Sequence, residues 1–321
     1  MLACGVAVLD VQQTVDRLPR PDEKLVANDL LVTSGGPAAN AAVTAAALGV
    51  SARLVTRIGD SPLGILISAD LAANGVDVVD RAGPLEQPAV STVLVTRGTG
   101  QRAVISVNAS HHRAALADGD PDTADWATGL IDGIDAVLVD GHHLDLAIPL
   151  ADAARAAGVP VLLDGGSWKP GLERLLAFVD IALISAVLQV PADLAGSAGR
   201  PGDDVLATVR ALGPPVVARS QGPRPIDVLT GAVRATVSVP HVQVVDTLGA
   251  GDVLHGALAA WLAVRGNRDL PGGLAWAARI AADSCTAPGA RGWLADAPRL
   301  ARHRELLALD PPSGHRADSR R

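Results

Sequence analysis

Val245-Asp246-Thr247-Leu248-Gly249-Ala250-Gly251-Asp252 leads directly into an apolar stretch, 253–264, in which Leu254, Leu258, Trp261 and Leu262 recur at helical spacing. Gly249 and Gly251 let the backbone turn tightly and come close to a ligand. The amides of Gly249, Ala250, Gly251 and Asp252 then lie at a helix N-terminus, a place that attracts anions and suits the charge of a migrating phosphoryl group. A carboxylate in that first turn can take a proton from an attacking hydroxyl. The helix dipole is expected to keep Asp252 ionised for that purpose. Taken alone, the same residues would also make a glycine-rich helix start capped by an aspartate.

The chain around this stretch alternates apolar runs with Ala-rich helical segments. Val6-Ala7-Val8-Leu9, Arg53-Leu54-Val55-Thr56, Ala136-Val137-Leu138-Val139, Val159-Pro160-Val161-Leu162-Leu163, Ile181-Ala182-Leu183-Ile184 and Pro215-Val216-Val217-Ala218 read as strands. Helices are predicted over 37–48, 63–73, 146–157, 253–264 and 273–285. Fully apolar strands alternating with helices imply an α/β protein with a mostly parallel sheet covered on both faces. Two stretches, 11–32 and 88–108, show polar–apolar alternation instead. Ser91 to Thr96 and Arg102 to Val107 flank Gly98-Thr99-Gly100 as a hairpin would. They are expected to form a small β lid over a core of 1–10, 33–87 and 109–309. The tail, 310–321, is rich in proline and arginine and is expected to be disordered.

Composition narrows the function. The chain has 321 residues, 49% of them hydrophobic, enough for a large core. A net charge of -7 and only two lysines, Lys24 and Lys169, speak against nucleic acid. No apolar run reaches the ~18–20 residues that span a bilayer, and no signal-peptide pattern precedes Cys4, so a cytoplasmic protein is expected. Cys4 and Cys285 match no zinc spacing and read as reduced thiols.

A second glycine-rich segment, Ser34-Gly35-Gly36-Pro37-Ala38-Ala39-Asn40, precedes an Ala-rich helix, and Asn40 carries an amide that can donate to one group and accept from another. A third is Gly59-Asp60-Ser61-Pro62-Leu63-Gly64. In order and spacing the three segments resemble the ribokinase-like (PfkB) carbohydrate kinases over residues 5–295. The resemblance implies a three-layer fold with a β lid, ATP as phosphoryl donor and Mg2+ carried with it. Asp252 is then the base, with Gly249, Ala250 and Gly251 as the anion hole. Asp10, Gly35, Gly36 and Asn40 match sugar contacts, and Arg102 resembles a lid arginine that reaches the site in ketohexokinases. Ser185, Arg219, Gly222, Thr247, Gly249 and Gly251 fall at nucleotide positions. A monovalent cation such as K+ near Asp246 and a homodimer through the lid are further family expectations.

The sequence departs from the family in two places. Ser185-Ala186-Val187-Leu188 stands where many relatives carry Asn-x-x-Glu, so magnesium lacks a carboxylate there. Ala218 to Pro225 replaces the usual Thr-x-Gly-x-x-Gly nucleotide loop and holds two prolines. For the acceptor, the opening and the 244–252 segment resemble ketohexokinase. The segments at 35–39, 251–258 and 285–289 look more like sulfofructose kinase, with Lys24 and Asn108 at the positions of its lid Lys and Asn and His142 in place of its Arg. Both resemblances imply a fructose-like ketose. A nucleoside kinase is disfavoured by the scarcity of aromatic residues, and a sugar-binding regulator by the intact Asp252 motif. A dinucleotide fingerprint at Gly98-Thr99-Gly100 is followed by a strand, not a helix. The pairs His111-His112 and His142-His143 are read as loop or pocket residues, not metal ligands.

Overall fold

The computed structural model describes residues 1–83, 85–98, 101–107, 123–194 and 204–308. Its elements are β1 (Leu2–Cys4), β2 (Val8–Val15), β3 (Asp29–Gly35), α1 (Pro37–Ala47), β4 (Ala52–Thr56), α2 (Pro62–Ala73), β5 (Val76–Asp80), β6 (Ala89–Thr96), β7 (Arg102–Ser106), α3 (Thr123–Ile131), β8 (Val137–Val139), α4 (Leu144–Ala156), β9 (Val161–Gly165), α5 (Leu172–Leu176), β10 (Ile181–Ser185), α6 (Val205–Ala211), β11 (Val216–Gln221), β12 (Arg224–Thr230), β13 (Val233–Val237), α7 (Ala250–Arg265), α8 (Leu270–Ser284) and α9 (Ala297–Ala308).

Among the described residues the main sheet runs β13-β12-β11-β10-β9-β8-β1-β4-β5, parallel from β11 to β5 and antiparallel only at β12 and β13. Its central strands are apolar on both sides because both faces are covered. In β8, Leu138 packs with α1, α7 and α8, while Val137 and Val139 pack with α4 and α5. The second sheet, β3-β2-β6-β7, is built from the alternating segments.

One predicted strand is corrected. Val6 to Leu9 is not a core strand. The core strand is Leu2–Cys4, paired with β4 and β8, and Val8 already begins β2 of the second sheet. The apolar run is continuous from Met1 to Leu9 apart from Gly5, so composition alone did not mark where one sheet hands over to the other. Gly5 sits at that crossing, where an added Cβ would meet the Asp140 carboxylate at 2.1 Å. Cys4 is buried, and both cysteines are free thiols. Among the described residues no helix is long and apolar enough to cross a membrane.

Candidate active site

Three carboxyl groups gather at one edge of the sheet, two from parallel strands and one from a helix. Asp140 follows β8, Asp164 is the penultimate residue of β9, and Asp252 stands in the first turn of α7. Asp140 is buried and accepts the backbone N–H groups of Val6 (2.9 Å), Ala38 (3.2 Å) and His142 (2.9 Å), tying α1 to the sheet. Gly36, at φ 100°, makes the turn into α1, and an added Cβ there would stand 2.4 Å from the Val6 carbonyl.

Helix α7 starts from Gly249, which holds the left-handed conformation (φ 73°) and packs so closely on Ala290 that a Cβ would approach its methyl to 2.6 Å. The first amides of a helix have no acceptor within it, so the N–H groups of Gly251 and Asp252 are available to an anion. Gly251 is exposed, and a Cβ there would meet nothing within 4 Å. The protein itself therefore does not require glycine at 251. Gly251→Ala is expected to fold with stability within about 1 kcal/mol of wild type, since alanine is the better helix former. It is expected to lose about tenfold or more in turnover if a ligand must approach this turn closely. Thermal unfolding alongside a kinase assay checks both halves.

The position of Asp252 is set by helix contact. Gly256 lies against α1, where an added Cβ would come within 2.4 Å of the Ala41 carbonyl. This close approach brings the Asn40 amide onto the Asp252 carboxylate, Nδ2 donating to Oδ2 at 2.7 Å. Arg291 fixes which end of that amide points where. Its Nη2 donates to Asn40 Oδ1 (3.2 Å) and to Ser34 Oγ (2.9 Å), while Nη1 donates to Asp70 Oδ2 (2.7 Å). Asp70 also accepts from the Ser34 backbone N–H (2.9 Å) and hydroxyl (2.5 Å). Burial pushes the Asp70 carboxyl up, but the Ser34 hydrogen bonds and Arg291 outweigh it and hold the group below its ordinary range.

The expectation that the helix dipole keeps Asp252 ionised is corrected. Burial first, and then the charge of Asp164 and to a lesser degree Asp140, push its carboxyl up to about 7. The Asn40 hydrogen bond and His255 oppose that rise. His255, one turn further along α7, is buried with Nδ1 2.7 Å from the Gly251 carbonyl oxygen, Nε2 2.8 Å from that of Leu183, and Nδ1 3.2 Å from Asp164 Oδ2.

The other sequence-predicted residues fall as follows. Asp10 lies on β2, its carboxyl raised by burial, with Ser91 and Arg291 working against the rise. Gly35 adjoins it, and an added Cβ would lie 1.9 Å from Asp10 Oδ2. Arg102, the first residue of β7, reaches Asp246 Oδ1 at 2.9 Å and Thr247 Oγ1 at 3.4 Å, so the second sheet is tied to the segment that precedes α7. Ser185 Oγ donates to the Gly166 carbonyl (2.8 Å), and Arg219 Nη2 donates to that of Ala186 (2.7 Å). Gly222 is exposed in the hairpin turn between β11 and β12. Lys24 is exposed in the connection between β2 and β3. Asn108, His111 and His112 and the tail from 309 lie outside the described residues. His142 and His143 follow β8 in a loop, not on a strand, with His143 preceding α4 at φ 48°. The Gly59–Gly64 segment starts α2, Ser61 Oγ accepting the Gly64 N–H at 3.2 Å. A cavity of about 560 Å³ opens at the opposite end of the sheet, lined by Asp135, Arg155, Asp180 and Arg268 among others, and is remote from Asp252.

A covered parallel sheet with a separate β sheet beside it, and an acid in the first turn of a glycine-started helix, suit a phosphotransferase with an alcohol group as acceptor. The chain belongs to the pfkB family of carbohydrate kinases, whose model matches residues 1–296. Ribokinase of Bacillus subtilis (strain 168) is 25% identical over 289 residues, covering 90% of this chain and 93% of the relative. An ATP-dependent ribose-1-phosphate kinase of Halopiger xanaduensis is 30% identical over 275 residues, covering 82% and 84%. The solved structure of Arabidopsis thaliana ribokinase complexed with ribose and ATP shares the fold at a TM-score of 0.72 and 24% identity, covering 96% of this chain and 98% of that one.

Proposed function

We propose that the chain transfers the γ-phosphoryl group of ATP to a hydroxyl of a monosaccharide, with Asp252 as the base. The observation that carries this reading is the joint placement of the Asp252 carboxylate and the free amides of the first turn of α7, held by Asn40 at 2.7 Å. The acceptor hydroxyl oxygen forms a bond to the γ-phosphorus as the bond to the β-phosphate oxygen breaks. The hydroxyl proton passes to Asp252, ADP leaves, and the charge of the moving group is met by the Gly251 and Asp252 N–H groups. Asp10 and the Gly35-Gly36 turn stand on the sugar side. Ser185, Arg219 and Gly222 stand at the ends of the strands on the nucleotide side.

The acceptor we propose is a sugar able to adopt a five-membered ring, a fructose-like ketose by the motif resemblances and ribose by the names of the relatives. The test is ADP release over a panel holding fructose, ribose, ribose 1-phosphate, sulfofructose and a nucleoside. Turnover with a sugar supports the reading, and turnover with none of the sugars overturns it. Activity confined to the two anionic sugars would favour the sulfofructose-like alternative, for which Lys24 supplies a cation.

Magnesium would arrive with the nucleotide phosphates, because the turn at 185–188 has no carboxylate to offer it. A monovalent cation does not fit well beside Asp246. Its Oδ1 already accepts from the Leu248 N–H (2.9 Å) and from Arg102, and its Oδ2 accepts from the Gly289 N–H (2.9 Å). For assembly we propose a homodimer through the lid, whose strands β3 and β7 expose Leu30, Leu31, Val104 and Ile105.

The raised carboxyl of Asp252 sets a pH dependence. The base must be ionised, so kcat/KM is expected to climb as pH rises through about 7 and to fall about tenfold per unit below it. A profile already flat from pH 5 upward would contradict this.

A further inference from the structure

His255 has no part in the proton transfer described above, yet its surroundings are unusual for a neutral side chain. The ring is 3% exposed. Its two nitrogens face the carbonyl oxygens of Gly251 (2.7 Å) and Leu183 (2.8 Å). Carbonyl oxygens only accept hydrogen bonds, and a neutral imidazole has one N–H to give. Either neutral tautomer would set a nitrogen lone pair against an oxygen lone pair at hydrogen-bond distance, leaving a buried polar contact unmade at a cost of about 1–3 kcal/mol. An imidazolium satisfies both carbonyls at once. The Asp164 carboxylate, 3.2 Å from Nδ1, supplies its countercharge.

From this geometry we infer that His255 is held as an imidazolium beneath the reacting carboxylate, where its charge positions and tunes Asp252, making His255 a positioning residue of the reaction. The inference rests on the reading of Asp252 as the base. His255 stands three places beyond Asp252 on α7, a spacing that puts the two on one flank of the helix. The charged groups facing this pair are Asp164 from β9 and Asp140 from the end of β8, with Lys169 beyond them acting on Asp164. From β10 comes only the Leu183 carbonyl, and from α1 the neutral Asn40 amide. Without the imidazolium, the carboxylates at 140, 164 and 252 would lose the cation buried among them. His255 already opposes the upward push on Asp252.

Two measurements test this. In the full chain labelled with 15N-histidine, the His255 ring, assigned by through-bond correlation among the eight histidines, is expected to show protons on both nitrogens at pH 7.5. A neutral tautomer at that pH overturns the proposal, whatever the fate of any variant. In His255→Gln, the acid limb of the kcat/KM profile is expected to move up by about one unit. The variant should therefore fall about tenfold further behind wild type at pH 6 than at pH 9. A uniform loss at every pH with the limb unmoved would show a packing role and sink the tuning claim. The ring spectrum is read without any turnover, so its failure is distinct from failure of the base assignment, which Asp252→Asn tests by itself.

Discussion

Asp252→Asn is expected to lower turnover by about 10²–10⁴-fold or more, because asparagine keeps the shape and the Asn40 neighbour but cannot hold the acceptor proton. The same substitution is expected to raise stability at alkaline pH. A carboxyl whose folded pKa lies near 7, above the ordinary 3.8, destabilises the fold where it must ionise. That penalty is absent below about pH 4, grows between 4 and 7, and levels off on the order of 2–4 kcal/mol. Denaturant unfolding of wild type and variant should therefore coincide near pH 4 and separate by pH 8, with the variant the more stable. Loss of activity together with gain of stability is a signature that damage to the fold cannot imitate. Unchanged turnover would refute Asp252 as the base.

Arg291→Ala is expected to have the second largest effect, and on both properties. The guanidinium joins Asp70 of α2, Thr33 and Ser34 of β3, and Asn40 of α1. Removing it strands the Asp70 carboxylate beside Ser34 and frees the Asn40 amide to turn over, which would point its oxygen at Asp252. We expect a stability loss of about 2–3 kcal/mol, less than for a fully enclosed pair because Asp70 is partly open to water. Asp70 titrates below its ordinary range, so its share of the loss is present at neutral pH and fades as pH falls below about 4. Turnover should drop at least tenfold, and Arg291→Lys should restore the charge but not the two-armed grip on Asn40 and Asp70. Stability and rate indistinguishable from wild type would show that Asn40 is oriented by other means.

The parts of this site that were legible in the sequence are those encoded by neighbours in the chain. Gly249, Gly251 and Asp252 sit within four residues, and the apolar stripe from Leu254 to Leu262 announces the helix they begin. The strands β4, β8, β9, β10 and β11 were legible for the same reason, each a short apolar run bounded by breakers. Arg291 was not, because it has no local pattern and its partner Asn40 lies 251 residues away. Nor was His255: the helical period says it is buried, but the Leu183 carbonyl that completes its environment is 72 positions off. Asp164 lies just past the apolar run that ends at Leu163, and only the parallel sheet reveals that it shares an edge with Asp252. The ionisation of Asp252 was misread because a dipole can be inferred from one helix, whereas burial by the assembled fold, and then the charge of Asp164, cannot.

At Gly256 the helix that begins after Gly36 and the helix that begins after Gly249 come so close that an added Cβ would stand 2.4 Å from the Ala41 carbonyl and 2.8 Å from Thr44 Cβ. A side chain at 256 would therefore force apart the two helix starts that bring Asn40 and Asp252 together. Arg102 adds a second tie, an ion pair that joins the outer β sheet to the segment leading into α7.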